Sequence, residues 1–411
     1  MSGGRPAAGA WWRIPAVAGP GLIVMLADTD AGSVITAAQS GARWGYTLLL
    51  PQFVLVPLLF MVQELAARVG IGTGCGLAAL VRRRYGPAGA AALLATLVAS
   101  CLGALVTELS GLAGVAESLG LPVASCIAAA VALVLAIVWA GSYRSVERIA
   151  LAIGVGELAF LALAWRAHPD AAQMAREALR LPLGDRSYLY LLAANIGTSV
   201  MPWTVFYQQS ASLDKGLRPA DLPSVRRETL AGAVLCQAVT AAVLVAAAAK
   251  LGDPAGSRPL ETVGQIADAF TASLGHVAGH VVFTVGLGGG ALVATIVVCL
   301  ATGWAVSEAL GLPGSLDDGP QRAPWLYGAL TAALLAAAAL VLSGTDLVRL
   351  SVAAGVLNAL LLPVVLGALW LAGRTALPAG LRPRGAAAAA TAVVFALAAA
   401  IGLASGLIGA L

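Results

Sequence analysis

The chain has 411 residues, of which 60% are hydrophobic and 11% are charged, and its net charge is +4. Because soluble domains hold about 25% charged residues, this composition and a mean hydropathy of +0.90 exclude an ordinary soluble protein. They indicate a polytopic protein embedded in the lipid bilayer. The scattered basic residues form no stripe that would bind nucleic acid, and the five single cysteines show no metal or redox spacing.

Apolar runs near 20 residues in length predict about eleven transmembrane helices. The predicted spans are 14–37, 44–66, 87–112, 121–141, 147–166, 187–210, 228–250, 278–305, 324–343, 347–373 and 386–410. The basic residues, with Arg5, Arg13 and the cluster Arg82–Arg84 among them, fall mainly on the side of the N-terminus. By the positive-inside rule we expect a cytoplasmic N-terminus, and an odd number of spans places the C-terminus outside.

The first predicted span carries two acids, Asp28 and Asp30, at a depth where membrane helices normally have none. An ionised carboxylate at the bilayer centre costs about 2.5–3.5 kcal/mol on insertion scales. Gly32 and Ser33 follow directly and interrupt the apolar pattern. The segment therefore predicts a broken helix whose acids meet a cation, a proton or water.

The sixth predicted span has a second interruption, where Gly197 and Pro202 flank Thr198 and Met201. Proline lacks a backbone N–H, so it frees a carbonyl near Thr198 from the helical hydrogen-bond pattern. In lipid, such a carbonyl needs another partner, and a bound ion is one.

The two broken spans hold matching positions in two halves of five spans each, at about 14–166 and 187–373. A further helix at about 386–410 follows them. Broken helices at matching positions indicate a secondary transporter with inverted repeats, whose site lies near the membrane midplane between the breaks.

Several stretches of the chain resemble a known family. They are Gly19-Pro20-Gly21 through Leu50, Gln63-Glu64-Leu65, the loop Gly70-Ile71-Gly72-Thr73-Gly74 with Tyr85-Gly86, Tyr143-Arg144-Ser145-Val146-Glu147-Arg148-Ile149, and Val200-Met201-Pro202. From the first span to about the eighth, the chain resembles the Nramp family of divalent metal transporters. The resemblance implies an all-α membrane protein of the leucine-transporter-type fold, with two inverted five-helix repeats and unwound helices 1 and 6. It also implies a divalent metal ion as substrate, commonly moved with protons.

On the first span, the family's Asp-Pro-Gly-Asn motif falls on Asp30-Ala31-Gly32-Ser33. The resemblance therefore makes Asp30 the first candidate metal ligand, and Ser33 offers a hydroxyl oxygen in place of an amide carbonyl, which is a weaker ligand. Asp28 has no counterpart in the motif. In an unwound segment it could turn toward the same cavity as Asp30, or it could face the outer vestibule.

On the sixth span, Thr198 falls where the family uses a backbone carbonyl, and Met201 falls on its metal-coordinating methionine. A thioether is a soft ligand that favours transition ions such as Mn²⁺ and Fe²⁺ over Mg²⁺ and Ca²⁺. The alternative for Met201 is an ordinary core residue, because methionines commonly fill gaps in apolar helices.

The chain departs from the family at the residues that move protons. The family's two histidines on span six correspond to Trp203 and Gln208, which carry no proton near neutral pH. The acid pair on span three corresponds to Glu108 and Gly111, so one acid remains, and it either relays a proton or pairs across the bundle. Proton coupling is therefore doubtful. Asn358, on the tenth span, is a further candidate for the lining of the cavity.

The leading hypothesis is a transporter of Mn²⁺-like or Fe²⁺-like ions that works by alternating access. Two alternatives stay open, an uncoupled Mg²⁺ transporter and an organic-solute symporter of the same fold. An enzyme is not expected, since the sequence has no nucleophile elbow, cofactor loop or metal-ligand triplet. We expect a monomer without a cofactor in a bacterial inner (plasma) membrane.

Three further features receive structural interpretations. His276 and His280 have metal-chelating spacing but no third ligand nearby, so we expect them on the aqueous edge of a helix. The segment 260–275 is predicted to be an amphipathic surface helix. The glycine run Gly286–Gly290 is expected to permit close packing of helices.

Overall fold

The computed structural model describes residues 19–140, 143–252, 260, 262–312, 314–344 and 346–411. Within these ranges all regular secondary structure is helical. The α-helices are α1 Pro20–Asp28, α2 Ala31–Trp44, α3 Leu49–Thr73, α4 Leu77–Ser118, α5 Val123–Ala140, α6 Tyr143–Gly154, α7 Ala159–Ala167, α8 Ala171–Ala178, α9 Arg186–Ser199, α10 Pro202–Asp214, α11 Leu222–Leu251, α12 Val263–Leu274, α13 His276–Leu310, α14 Gly319–Arg322, α15 Pro324–Val341, α16 Leu347–Thr375 and α17 Gly385–Ala410. Short 3-10 turns lie at Val155–Leu158, Pro219–Asp221 and Leu316–Asp318.

The prediction of eleven transmembrane spans is confirmed for the described part of the chain. Ten continuous or nearly continuous spans are long and apolar enough to cross a membrane, and α1 with α2 forms an eleventh that bends by 44°. The third span begins at Leu77, about ten residues before the predicted start. The helix continues there through a kink at Gly86, which has a φ of 71° that favours glycine. Arg5 and Arg13 lie outside the described residues.

Two of the helices begin where polar side chains cap them, the amphipathic helix α12 and the membrane-spanning helix α9. The predicted amphipathic segment forms α12, whose Thr262 accepts a hydrogen bond from the Gln265 N–H, while Val263 and Ile266 are buried. At the start of α9, Asp185 accepts hydrogen bonds from the Ser187 hydroxyl at 2.7 Å and its N–H at 2.8 Å. These bonds favour the charged carboxylate and lower the pKa of Asp185.

The two broken spans lie in the middle of the bundle. α2 packs along α11, α9 along α16, and α4 along α13. Glycines permit the closest of these approaches, because a methyl group at Gly197 would lie 1.8 Å from the backbone oxygen of Gly355. Residues of α2, α9 and α10 are therefore surrounded by other helices and are shielded from lipid.

Ion pairs join the helices at one end of the bundle. Glu64 on α3 pairs with Arg68 and, at 2.6 Å, with Arg226 on α11. Lys215, after α10, pairs with Glu147 on α6 at 2.7 Å. The positive-inside rule predicts that this end is cytoplasmic.

Candidate functional site

The break in the first span is confirmed, and Asp30 caps the helix that follows it. α1 ends at Asp28, and Asp30 is extended, with φ −84° and ψ 176°. Its carboxylate accepts a hydrogen bond of 2.7 Å from the N–H of Ser33. A carboxylate at the N-terminus of a helix is stabilised by the free N–H groups and by the helix dipole. The sequence thus holds one candidate acid in a fixed, buried position.

The break in the sixth span is also confirmed. α9 ends at Ser199, Val200 leaves the helical conformation with φ −131° and ψ 81°, Met201 is extended, and α10 begins with Pro202. In a continuous helix the Thr198 carbonyl would accept from the N–H of residue 202, which proline does not have. That carbonyl instead accepts a hydrogen bond of 3.1 Å from the Ser33 hydroxyl.

Ser33 joins the two breaks. Its hydroxyl lies 2.8 Å from the carbonyl oxygen of Asp28 and 3.1 Å from that of Thr198. A hydroxyl has one proton, so it donates to one of these carbonyls at a time. Ser33 therefore sets the separation between the two unwound segments, a role that the sequence alone does not indicate.

Met201 occupies the first position before α10, and Trp203 holds its side chain. The Trp203 indole is completely buried, and its Nε1–H donates to the Met201 sulfur at 3.2 Å. Trp203 thus orients the thioether. Gln208 is also buried, and neither polar atom of its side chain has a hydrogen-bond partner among the described residues.

Glu108 lies beside the first break. Its Oε2 accepts a hydrogen bond of 3.1 Å from the N–H of Ala31, and its carboxyl group interacts with that of Asp30. Gly111, where the family has a second acid, leaves room for the Ala31 side chain. Two carboxylates at such close range repel each other unless a cation or a proton lies between them.

Asp28 points to a different neighbour from Asp30. It is only 1% exposed, and its Oδ2 accepts from the thiol of Cys236 on α11 at 3.6 Å. α11 covers Asp28 in this conformation, so its carboxylate faces Cys236 rather than an outer vestibule. Its backbone carbonyl, rather than its carboxylate, contacts Ser33.

Asn358 is buried but bonds to neither break. Its Oδ1 accepts a hydrogen bond of 2.7 Å from Ser100, which links α16 to α4. Asn195, which the sequence analysis did not single out, takes a central place instead: it donates to Ser40 at 2.8 Å and accepts from Gln52 at 2.5 Å. These bonds connect α9 to α2 and α3 near both breaks.

Glu157, in the 3-10 turn that interrupts the fifth span, is a further buried acid that was not predicted from the sequence. It is 1% exposed, and its carboxyl group interacts with that of Asp30. An acid beside Gly154 and Gly156 in an apolar span is the signal that could have identified it. Asp28, Asp30, Glu108 and Glu157 form no ion pair within the described part of the chain.

The arrangement differs from a resident metal centre. Among the described residues, no three His, Cys, Asp or Glu side chains converge to chelate a metal. The rings of His276 and His280 meet edge to face at the start of α13, with their centroids 4.7 Å apart, as expected for two histidines on one helical face. The polar atoms at the breaks come from carboxylates, backbone carbonyls, a hydroxyl and a thioether, so they form a mixed set of oxygen and sulfur atoms.

Comparison with known proteins places this geometry in a family. The family model described as Natural resistance-associated macrophage protein-like (Nramp) matches residues 21–407. A divalent metal cation transporter, MntH, of Acidiphilium cryptum is 29% identical over 408 residues, covering 94% of this chain and 89% of the relative. The MntH of Xanthomonas campestris pv. campestris is 30% identical and covers 87% of each chain. The alignment with MntH 1 of Pseudomonas aeruginosa, at 31% identity, spans 59% of that relative's length.

Solved structures show the same fold at low sequence identity. The manganese transporter of Eremococcus coleocola superposes with a TM-score of 0.74 at 18% identity, over 98% of this chain and 88% of that one. Mhp1, a nucleobase-cation-symport-1 family transporter, superposes with a TM-score of 0.60 at 13% identity, over 95% and 90%. With two broken helices facing each other in this fold and a family match along nearly its whole length, the chain belongs to the Nramp (Natural resistance-associated macrophage protein-like) family.

Proposed function

We propose that this protein moves divalent transition-metal ions across the membrane by alternating access, with the ion bound between the two helix breaks. The ligands are the carboxylate of Asp30, the carbonyl of Thr198, the thioether of Met201 and the hydroxyl of Ser33. The observation that carries the proposal is the bond of 3.1 Å between Ser33 and the Thr198 carbonyl, which holds the acidic break against the one that carries the sulfur.

The chemistry of this ligand set suits soft or borderline ions. Oxygen ligands alone would serve Mg²⁺ or Ca²⁺, whereas a sulfur ligand favours Mn²⁺, Fe²⁺ or Cd²⁺. A thioether sulfur has two lone pairs, and the Trp203 N–H takes one of them. The second lone pair is then available to a metal.

Uncoupled Mg²⁺ transport is the second candidate. It is favoured by the buried carboxyl group of Glu108 close to Asp30, which adds oxygen and negative charge for a hard dication. In both candidates α10 provides no proton route, because Trp203 and Gln208 do not titrate near neutral pH.

Alternating access requires that the buried site opens to one side at a time. Asp30 and Met201 are each 2% exposed, so the conformation described here shields them from water. Opening at the end of the ion pairs separates Glu64 from Arg226, and Glu147 from Lys215. The proposed setting is a monomer in the bacterial plasma membrane, with that end and the N-terminus in the cytoplasm and with repeats at about 14–166 and 187–373.

A flux comparison in proteoliposomes tests the proposal. Uptake of Mn²⁺, Mg²⁺ and Ca²⁺ is measured together with an internal pH reporter, for the wild type and for Asp30→Ala. We expect Mn²⁺ uptake that Asp30→Ala abolishes, without acidification of the lumen. Mn²⁺ uptake that persists in Asp30→Ala would overturn the assigned site, and Mg²⁺ uptake in preference to Mn²⁺ would establish the second candidate.

A further inference from the structure

Glu157 is a buried acid whose charge has no visible compensation. The 3-10 turn that carries it packs closely on two helices, since Gly154 touches Leu26 of α1 and Gly156 touches Val285 of α13. Neither carboxyl oxygen has a hydrogen-bond partner in the described ranges. A carboxylate so deep in a membrane protein needs a cation or a proton, because burial of an unpaired charge is strongly unfavourable.

A backbone carbonyl faces the same small space as Glu157. A methyl group at Gly290 of α13 would lie 3.0 Å from the Thr29 carbonyl oxygen and 3.3 Å from Glu157 Oε1. In a continuous helix the Thr29 carbonyl would accept from the N–H of Ser33, but that N–H donates to the Asp30 carboxylate. Because Gly290 has no side chain, a small space remains there, with the Thr29 carbonyl oxygen on one side and Glu157 Oε1 on the other. We call this space the cradle.

Asp28 adds a second unpartnered oxygen close to this cradle. Its Oδ1 is buried without a hydrogen-bond partner among the residues described, and its Oδ2 accepts from the thiol of Cys236. Cys236 lines the same narrow gap as Thr29 and Glu157. Asp30, in contrast, bonds to the N–H of Ser33 and interacts with Glu108 on α4.

We propose that Glu157, the Thr29 carbonyl and Asp28 form a second cation site, adjacent to the substrate site around Asp30 and Met201 but with different ligands. Its ligands are all oxygens, which selects a hard cation of the alkali or alkaline-earth class. The site goes beyond the proposed transport function and does not depend on which metal is transported. It also gives the glycine at position 290 a role in addition to helix packing.

Equilibrium binding to the purified full-length protein in nanodiscs tests this site. Radiolabelled Na⁺, Ca²⁺ and Mg²⁺ are the three probes, and the background is Asp30→Asn, which removes the charged ligand of the substrate site while its amide oxygen can still accept from the Ser33 N–H. We expect one of the three cations to bind in this background, and Glu157→Gln to weaken that binding at least tenfold. If none of the three binds, the buried acid carries a proton and the proposal is overturned. Binding that Glu157→Gln leaves unchanged overturns it as well.

Two glycine variants on one helix separate the site from effects on folding. Gly290→Ala keeps every charge but fills the cradle, so it should weaken binding at least tenfold. Gly288→Ala is the matched control, since its methyl group would meet Val115 at an ordinary 3.9 Å, and it should bind within twofold of its parent. Equal binding by the two variants would contradict the site. Retained Mn²⁺ uptake in Asp30→Ala would defeat the proposed function and leave this binding result intact.

Discussion

The hydroxyl of Ser33 and the carbonyl of Thr198, 165 residues apart in sequence, are joined by a hydrogen bond of 3.1 Å. Each residue belongs to a segment where its helix is interrupted, so the bond ties the two interruptions directly to each other. A change in the separation of the two halves must stretch or exchange this bond. The second acceptor of Ser33, the Asp28 carbonyl at 2.8 Å, offers the exchange.

The Ser33 bridge predicts a moderate defect for Ser33→Ala. One hydrogen bond contributes about 0.5–1.5 kcal/mol net, so we expect Mn²⁺ affinity in proteoliposomes to fall roughly threefold to tenfold, without abolition of transport. Ser110→Ala is the control, because the buried Ser110 hydroxyl donates to Val106 within its own helix at 2.7 Å. Equal effects of the two changes would argue that Ser33 is an ordinary buried serine.

The Met201 sulfur predicts a change of metal selectivity. Met201→Leu keeps the volume, which usually costs less than about 1.5 kcal/mol in a core, but removes the thioether. We expect Mn²⁺ and Cd²⁺ uptake to fall at least tenfold relative to Mg²⁺ uptake. Met61→Leu, at a half-buried methionine on α3, should leave the ratio unchanged. A Met201→Leu protein with the wild-type ratio would show that the sulfur does not contact the ion.

The two broken helices could be predicted because each break is caused by residues that lie close together in the sequence. Pro202 cannot continue a hydrogen-bond ladder, and Asp28, Asp30, Gly32 and Ser33 interrupt an apolar run within a few residues. Both causes act within one turn of helix, so they need no knowledge of tertiary structure. The hydropathy of the remaining spans is equally local, and their number is confirmed.

The arrangement of the acids could not be predicted in the same way. Whether Asp28 faces Asp30 or Cys236 depends on the dihedral angles of one unwound residue, Thr29, which composition does not determine. In the sequence, Glu157 is a single charged residue within an otherwise apolar span. Its approach to the first break depends on how closely α13 packs at Gly290. Such convergence is a property of helix rotation and contact, so it emerges only in three dimensions.

The ion pair between Glu64 and Arg226 predicts that Glu64→Gln opens this end of the bundle more often. The pair is partly exposed, so its loss is worth about 1 kcal/mol, or about fivefold in a two-state equilibrium. The readout is modification of Cys236 by a small methanethiosulfonate reagent, with the other four cysteines replaced by serine. We expect modification about fivefold faster. Asp346→Asn, at the exposed pair with Arg349, should change nothing, and equal rates in both variants would contradict a gating role.

The most demanding prediction concerns the contact between α9 and α16, because backbone atoms of the two helices meet there directly. A methyl group at Gly197 would lie 1.8 Å from the oxygen of Gly355 and 2.6 Å from the nitrogen of Ala359. No side chain can move to relieve this clash, so Gly197→Ala must push α9 away from α16 and displace the neighbouring Thr198 carbonyl. Overpacking of this kind costs about 1–3 kcal/mol or more, and we expect a lower melting temperature in detergent together with at least tenfold weaker Mn²⁺ uptake.

Gly367→Ala is the control, because it has open space around its methyl group. It should melt no lower than the wild type, since alanine is about 0.5–1 kcal/mol better than glycine within a helix. A Gly197→Ala protein that melts and transports like the Gly367→Ala protein would show that the second break does not depend on this close approach.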